Sequence, residues 1–502
     1  MQQLNLQTIK APSKTALSLA LSDGSSLFCE EFVRVIPNKR LVCRGVRHQK
    51  PVYAKIFIGK KNQSYAERDA AGVKLLQLAN IATPSLLCVS EIVGNQGYVL
   101  VFESIENAQN TEEVWAKLNQ EQRLSLAKKL VQEIAKHHNA SLLQTDLYLK
   151  NFLVDDQLNS EKYIYTLDGD GIRQFTNLSQ QQALQNLSVL LSKFDVLELE
   201  VWLADLLKTY AEARNWQAVP DANLIKKMTN THRQKVASNY ANKKVFRQCT
   251  DVNVARQHAL FTCLSSQYPQ AILPNTLAEM DAYFTENNLL KNGNTCTVAL
   301  VAIAGKQVVI KRYNIKSFWH GIARAFRQTR AAVSWANAHR LKLLDIATAK
   351  PIALIEQRNF GLKGRAYFLA EYIDAPDLAQ FFAECSDKTA RAEAVKNIST
   401  LFYKLYLLKI SHGDMKATNI KIVENQPVLI DLDSMRQHRT YFKSSVAHLR
   451  DLNRFMQNWQ NEPALYNAFV KAFKVVYSDS SILIKAGIDQ NKEISHKEIN
   501  NQ

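Results

Sequence analysis

The sequence predicts an α+β fold built twice in tandem, each copy a small antiparallel-sheet lobe followed by a larger helical lobe. Three observations carry that prediction: a short polar loop signature that recurs about half a chain length apart, a lysine-bearing apolar strand upstream of each copy, and helix-period apolar residues downstream. In the first copy the loop reads Gln144-Thr145-Asp146-Leu147-Tyr148-Leu149-Lys150-Asn151 and is followed by Leu167-Asp168-Gly169-Asp170. In the second it reads His412-Gly413-Asp414-Met415-Lys416-Ala417-Thr418-Asn419 and is followed, after an apolar run, by Ile430-Asp431-Leu432-Asp433. Each copy places an Asn five positions after an Asp, with a further acidic element roughly 12 to 17 residues on.

The chemistry that needs this spacing is phosphoryl transfer. It requires a carboxylate to orient and deprotonate the acceptor hydroxyl, an amide oxygen and a carboxylate to hold Mg²⁺, and a lysine on the nucleotide phosphates. Asp414 and Asp146 suit the first role, Asn419 with Asp431 and Asn151 with Asp168 the second. D-x-x-x-x-N alone is a weak signal; its duplication and the downstream acids strengthen it. The chain therefore reads as two protein-kinase-like domains.

The elements follow in chain order. Phe32 to Ile36 and Arg40 to Arg44 are β-rich runs flanking Pro37-Asn38-Lys39, a turn-like break. Val52-Tyr53-Ala54-Lys55-Ile56-Phe57 is an apolar strand whose lysine precedes Asp146 by 91 residues; Lys311 in Val308-Val309-Ile310-Lys311-Arg312-Tyr313 precedes Asp414 by 103. A lysine among apolar residues calls for a phosphate or carboxylate partner, although a stem that merely covers apolar surface would look the same. Glu67, near the start of a helical stretch reaching Leu78, is the expected partner of Lys55. Tyr98 to Glu103 and Tyr367 to Tyr372 read as strands entering a hinge. Apolar residues close to a 3.6 period mark helical material over residues 179–210, with Asn177 or Ser179 as N-cap. Pro220 breaks it, and the polar, basic residues that follow set the expected boundary. The domains are thus residues 1–225 and 226–502, with 226–280 a helical lead-in to the second sheet. Neither copy has a full G-x-G-x-x-G, but Asn292-Gly293-Asn294-Thr295 suits a phosphate-capping turn as well as a plain hairpin.

HGDMKATN with IDLD, the VVIKRY strand and the AKIF strand resemble the lipopolysaccharide core kinases, the heptose and Kdo kinase family with a protein-kinase-like fold. The resemblance covers most of residues 30–175 and 290–460 and is sharper in the second half. It implies an ATP- and Mg²⁺-dependent kinase of a cell-envelope sugar at the cytoplasmic face of a bacterial inner membrane. On it, Asp414, Lys416 and Asp146 are catalytic, Lys311, Lys55 and Glu67 serve the nucleotide, and Asn419, Asp431, Asn151 and Asp168 hold the metal.

Each copy departs from the pattern. The first has Gln144 where a His is usual. The second has the His but no obvious helix acid for Lys311, since anchoring Ile81-Ala82-Thr83 on Ile346-Ala347-Thr348 places Ala332 opposite Glu67. Both lack the Phe of D-F-G, and the second Asp of each (Asp170, Asp433) holds a second metal or caps a turn. Asp451, in the helix after the second metal loop, braces the catalytic loop or, the commoner role, makes a surface ion pair.

Composition agrees with an intracellular enzyme working near anions. Of 502 residues, 46% are hydrophobic and 22% charged, ordinary for a globular chain with two cores. Seven cysteines with no C-x-x-C pair argue against a disulfide framework or zinc site and for a reducing cytoplasm. No secretory signal pattern opens the chain, and no apolar run approaches the ~18 to 20 residues that span a bilayer, so any membrane contact is expected to be peripheral. A net charge of +17 predicts an acidic partner: an anionic membrane, or an acidic glycolipid or sugar acceptor. Lys316, His320, Arg324, Arg327 and Arg330 recur at helical spacing with Trp319, Ile322, Phe326 and Val333 between them, as a headgroup-docking face or an ordinary solvated one. No nucleic-acid-binding motif accompanies them, and RNA or DNA is not the expected partner.

Alternatives to the core-sugar kinase are an aminoglycoside- or choline-type kinase, a protein Ser/Thr kinase, and a tandem pseudokinase serving as a binding scaffold. Lys416, two residues after Asp414, favours the lipopolysaccharide and protein-kinase readings, because a lysine there neutralises the transferred phosphate.

Overall fold

Alternation of apolar and polar residues over the first 110 positions folds into a six-stranded antiparallel sheet. The computed structural model describes residues 6–94, 96–155, 164–257, 259–313, 328–359, 362–477 and 481–488, and the chain divides into two units, Met1–Arg233 and Gln234–Gln502. In the first, β1 (Leu17–Ala20), β2 (Ser26–Ile36), β3 (Arg40–Arg47), β4 (Lys50–Phe57), β5 (Leu86–Ile92) and β6 (Gly97–Glu103) lie in the order β1-β2-β3-β4-β6-β5, with α1 (Asn62–Leu78) between β4 and β5 in sequence. Period two decides which way β4 faces. Val52, Ala54 and Ile56 enter a core with Leu27, Phe32, Leu41 and Val99, which leaves Lys55 on the other face beside Phe57, where α1 packs through Ala66, Ala70 and Val73. β4 is interior, with Lys55 opposite Val42 on β3 and Leu100 on β6.

The rest of this unit holds β7 (Ala108–Asn110), α2 (Thr111–Trp115), α3 (Gln120–Asn139), β8 (Leu142–Gln144), β9 (Phe152–Asp155), β10 (Ile164–Thr166), β11 (Ile172–Gln174), α4 (Gln180–Leu191), α5 (Val196–Ala213) and the first part of α6 (Ala222–Asn242), whose sequence runs on past Arg233. The helical stretch expected over residues 179–210 is two helices. Ser179 caps α4 in a capping box with Gln182, and Asp195 caps α5 by accepting the Leu197 N–H at 2.8 Å, so a polar cap interrupts an otherwise continuous apolar period. Leu187, Leu190, Leu206 and Tyr210 from these helices meet Leu130 and Ile134 of α3 in one core.

The second unit corrects the expected helical lead-in. Helix α6 runs through residue 226 to Asn242, but β12 (Val252–Gln257) and β13 (Leu260–Ser265) then form a hairpin on the edge of a seven-stranded antiparallel sheet. After α7 (Leu277–Asp281) come β14 (Leu289–Asn292), β15 (Cys296–Ile303), β16 (Lys306–Tyr313), α8 (Arg330–Leu343), β17 (Pro351–Asn359) and β18 (Leu362–Glu371), in the sheet order β12-β13-β17-β18-β16-β15-β14. Lys311 on β16 lies opposite Val298 on β15 and Phe368 on β18, the counterpart of Lys55. Of the basic stretch, Lys316, Trp319, His320, Ile322, Arg324, Phe326 and Arg327 lie outside the described residues.

The unit continues with α9 (Leu378–Glu384), α10 (Lys388–Leu407), β19 (Ile410–Ser411), β20 (Ile420–Val423), β21 (Gln426–Leu429), β22 (Arg436–Gln437), α11 (Tyr441–Met456), α12 (Pro463–Val476) and α13 (Ser481–Lys485). Both units build their polar loops alike. A short strand (β8 or β19) leads into the loop, a hairpin (β9/β10 or β20/β21) follows, and a strand (β11 or β22) returns to pair with the first.

Helix α1 lies so close to the loop of Asp168 and Gly169 that no side chain fits between them. A Cβ on Gly72 would stand 1.9 Å from the Gly169 carbonyl oxygen. Gly72→Ala is therefore expected to push α1 off the loop and lower stability by about 1 to 3 kcal/mol, read as an earlier denaturant midpoint; an unchanged midpoint would show that the helix withdraws freely.

Candidate active site

In the second unit the loop after β19 is held from below. His412 is fully buried, and its Nε2 donates to the Ile430 carbonyl at 2.9 Å, tying the loop to the residue before Asp431. Asp451 of α11 accepts the His412 and Gly413 backbone N–H groups at 2.6 and 2.9 Å. Of the two roles open to Asp451 in the sequence, the structure assigns the brace: burial raises its pKa, against the pull of those two N–H donors. Gly413 has φ 82°, and a Cβ there would meet the Ser434 carbonyl oxygen at 2.8 Å, so glycine is required for the turn.

This support presents Asp414. Its carboxylate lies 3.2 Å from Lys416 Nζ and 3.7 Å from Arg454 Nε, and Asn419 Nδ2 donates to its Oδ2 at 3.1 Å and to its backbone carbonyl at 2.8 Å. Both Asn419 bonds use Nδ2, which turns Oδ1 to the opposite side of the amide. Asn419, Lys416, Asp431 and Lys311 line one cleft of about 500 Å³, walled by Val298, Val309, Phe368 and Ile430 and edged by Gly293 and Thr295 of the β14–β15 turn.

Asp431 sits in left-handed backbone conformation, φ 61°, a strain tolerated where a site requires it. Lys311 is ion-paired with it and lies 3.7 Å from Asp433. Burial alone would raise the Asp431 pKa, but the Lys311 charge outweighs it and holds the carboxyl below the ordinary carboxylate range. Lys311 thus finds its acids on the loop of Asp431 and Asp433, where the sequence offered none on the helix; Ala332 is a buried alanine capped through Thr329. The Asp433 side chain is 4% exposed and ion-paired. Arg330, the one described basic residue of the run ending there, pairs with it at 2.7 Å.

The first unit repeats the geometry with different residues. Asn151 Nδ2 donates to the Asp146 carbonyl at 2.7 Å and to its Oδ2 at 3.1 Å, nearly the distances of the other copy. Gln144, in place of His, is fully buried, and its Nε2 donates to the Leu167 carbonyl at 3.2 Å; it replaces the imidazole bond to the residue before the loop acid, here Asp168. Asn186 Nδ2 donates to the Gln144 carbonyl at 2.9 Å, supporting this loop from α4. Tyr148 occupies the position of Lys416, with Lys193 Nζ 3.8 Å above its ring.

Glu67 is not the partner of Lys55. It is exposed and accepts from Gln63, because residues 63 and 67 share the outer face of α1. The partner is Asp69, 0% exposed, at 2.7 Å from Lys55 Nζ; it shares its face with Val73 and Leu76. Lys55 also reaches Asp168 at 3.1 Å, and Arg40 Nη1 lies 3.4 Å from the same Asp168 oxygen and 4.0 Å from Asp69. Asp168 is left-handed as well, φ 69°. Burial pushes both acids up; in Asp69 it prevails over Lys55, whereas in Asp168 Lys55 and Arg40 together prevail and lower the pKa. The sequence reading missed Asp69; its place on the apolar stripe of α1, in phase with Val73 and Leu76, was the signal that could have found it.

A family model described as the lipopolysaccharide kinase (Kdo/WaaP) family matches residues 60–222 and 284–477. The first segment holds Asp146, Asn151 and Asp168, the second Lys311, Asp414, Asn419 and Asp431. No curated protein sequence is significantly similar to the chain. The two matched segments make up more than half of the chain and each carries one of the loops derived above, so the chain belongs to the lipopolysaccharide kinase (Kdo/WaaP) family, with two copies in tandem.

Proposed function

We propose that this kinase uses ATP and Mg²⁺ to phosphorylate a hydroxyl of a lipopolysaccharide inner-core sugar at the cytoplasmic face of the inner membrane, and that the second unit performs the transfer. The observation that carries the reading is the cleft of the second unit, where Lys311, Lys416, Asn419 and Asp431 converge beside Asp414, itself 3.2 Å from Lys416. Asp414 orients the acceptor hydroxyl and takes its proton. Lys416 neutralises charge on the transferred group, and Lys311 holds the nucleotide phosphates. The amide oxygen of Asn419 and the carboxylate of Asp431 are hard oxygen donors that suit Mg²⁺, which supplies neutralisation of phosphate charge when bound. Val298, Val309 and Phe368 offer an apolar slot for a base. Each unit is, on this reading, a two-lobed kinase-like domain.

A non-catalytic role for the first unit is favoured by two observations. Arg40 and Lys55 both engage the Asp168 oxygen, and Tyr148 replaces the loop lysine. Lys55, Asp146, Asn151 and Asp168 then serve nucleotide binding rather than turnover. Among the described residues no helix is long and apolar enough to cross a membrane, and a peripheral contact is proposed.

Incubation of the full chain with γ-labelled ATP, Mg²⁺ and extracted core oligosaccharide, beside aminoglycoside and generic protein acceptors, tests the reading. Label is expected on the oligosaccharide alone. Label on an aminoglycoside or a protein, or none on any acceptor, would overturn it.

A further inference from the structure

The segment that follows the second metal loop carries an exposed patch that the phosphoryl-transfer site does not use. Phe442 is 77% exposed, Tyr441 57% and Val446 36%, and Phe442 and Val446 fall four residues apart on one face of α11. Arg436, Arg439 and Lys443 are exposed in the same stretch of chain. Between Asp433 and Asp451 the sequence has no Asp or Glu but four basic residues, Arg450 being the fourth.

We propose that the start of α11 and the residues before it form a docking surface for an anionic lipid bilayer. Water-exposed aromatic rings ringed by Lys and Arg match the boundary of a bilayer, where rings sit at headgroup depth and basic side chains meet phosphate. An acidic surface without apolar groups would satisfy the charges and leave the phenyl ring of Phe442 without an apolar environment. The location also fits. Arg436 on β22 pairs with Ser411 on β19, directly before His412, and Asp451 near the end of α11 holds the same loop. A membrane under this patch therefore lies on the unit that carries Asp414, about 13 Å along α11 from the residue that holds its loop, and a lipid-linked acceptor would present its sugar across that distance.

The inference rests on the reading of the chain as a kinase of a lipid-linked sugar, but its test involves no phosphoryl transfer. Sugar phosphorylation without recruitment would sink this inference alone, and recruitment without phosphorylation would sink the other. The full chain is mixed with vesicles of phosphatidylglycerol and phosphatidylcholine, or of phosphatidylcholine alone, and sedimented. Recruitment is expected only to the anionic vesicles. Arg436→Gln/Arg439→Gln/Lys443→Gln should weaken it by on the order of tenfold or more at low salt and little at high salt, where screening already suppresses the attraction. Tyr441→Ser/Phe442→Ser should weaken it by on the order of tenfold at either ionic strength. Melting curves confirm that each variant is folded, and Phe442→Ser alone replaces any that is not. Absent recruitment of the parent chain, equal recruitment to neutral vesicles, or variants that bind like the parent would overturn the proposal. So would light scattering that shows the aromatic variants dissociating a dimer, which would make the patch a contact between copies.

Discussion

Replacing Asp414 with Ala is expected to lower phosphoryl transfer by on the order of 10³-fold or more while the protein stays folded. The size follows from the proposed role: if Asp414 orients the acceptor hydroxyl and takes its proton, Asn419, Lys416 and Arg454 cannot substitute, being an amide and two cations. The fold survives because Asp414 is 35% exposed and the loop is held independently by His412 on Ile430 and by Asp451 on two backbone N–H groups. Initial rates with labelled ATP, alongside a melting curve, read both effects. Asp146→Ala is the counterpart, expected to leave turnover within a few-fold. If instead Asp414→Ala turns over normally and Asp146→Ala does not, catalysis resides in the first unit.

The second large effect is on stability. Asp69→Ala should destabilise the first unit by about 3 to 5 kcal/mol, since it strands the Lys55 ammonium in a partly buried cluster beside Arg40 and removes the acceptor of the Gly169 N–H at 3.0 Å. Glu67→Ala, two residues away, should change stability by less than about 0.5 kcal/mol, as an exposed helix position does. Denaturant titration that follows the first unit separates them. Equal, small effects would mean that Lys55 is content with Asp168 alone.

That pair of residues shows where sequence reading ended. A Glu at helix start and a Lys on a strand make a plausible partnership by residue type, but the ion pair is decided by helix phase. Asp69 faces the sheet with Val73 and Leu76, and Glu67 faces water with Gln63. The same limit applied to Lys311, whose partners come from a loop 120 residues away in sequence, and to residues 252–265, whose place on the sheet edge depends on pairing with β17.

By itself the sequence determined the duplication, the two lysine strands and the family, because those reside in local spacing: an Asp and an Asn five apart, an acid beyond a hairpin, a lysine on an apolar strand. It also carried the helices downstream, because apolar period is local. The tertiary structure alone decided which acid meets which lysine, that Gln144 makes the bond of His412, that Asp451 braces the loop rather than a surface pair, and that Asp168 and Asp431 adopt left-handed backbone. The physical reason is common to all four. Each depends on which groups are brought together in a desolvated space, where a charge or N–H must find a partner, and that choice is made by packing across the chain and not by neighbours along it.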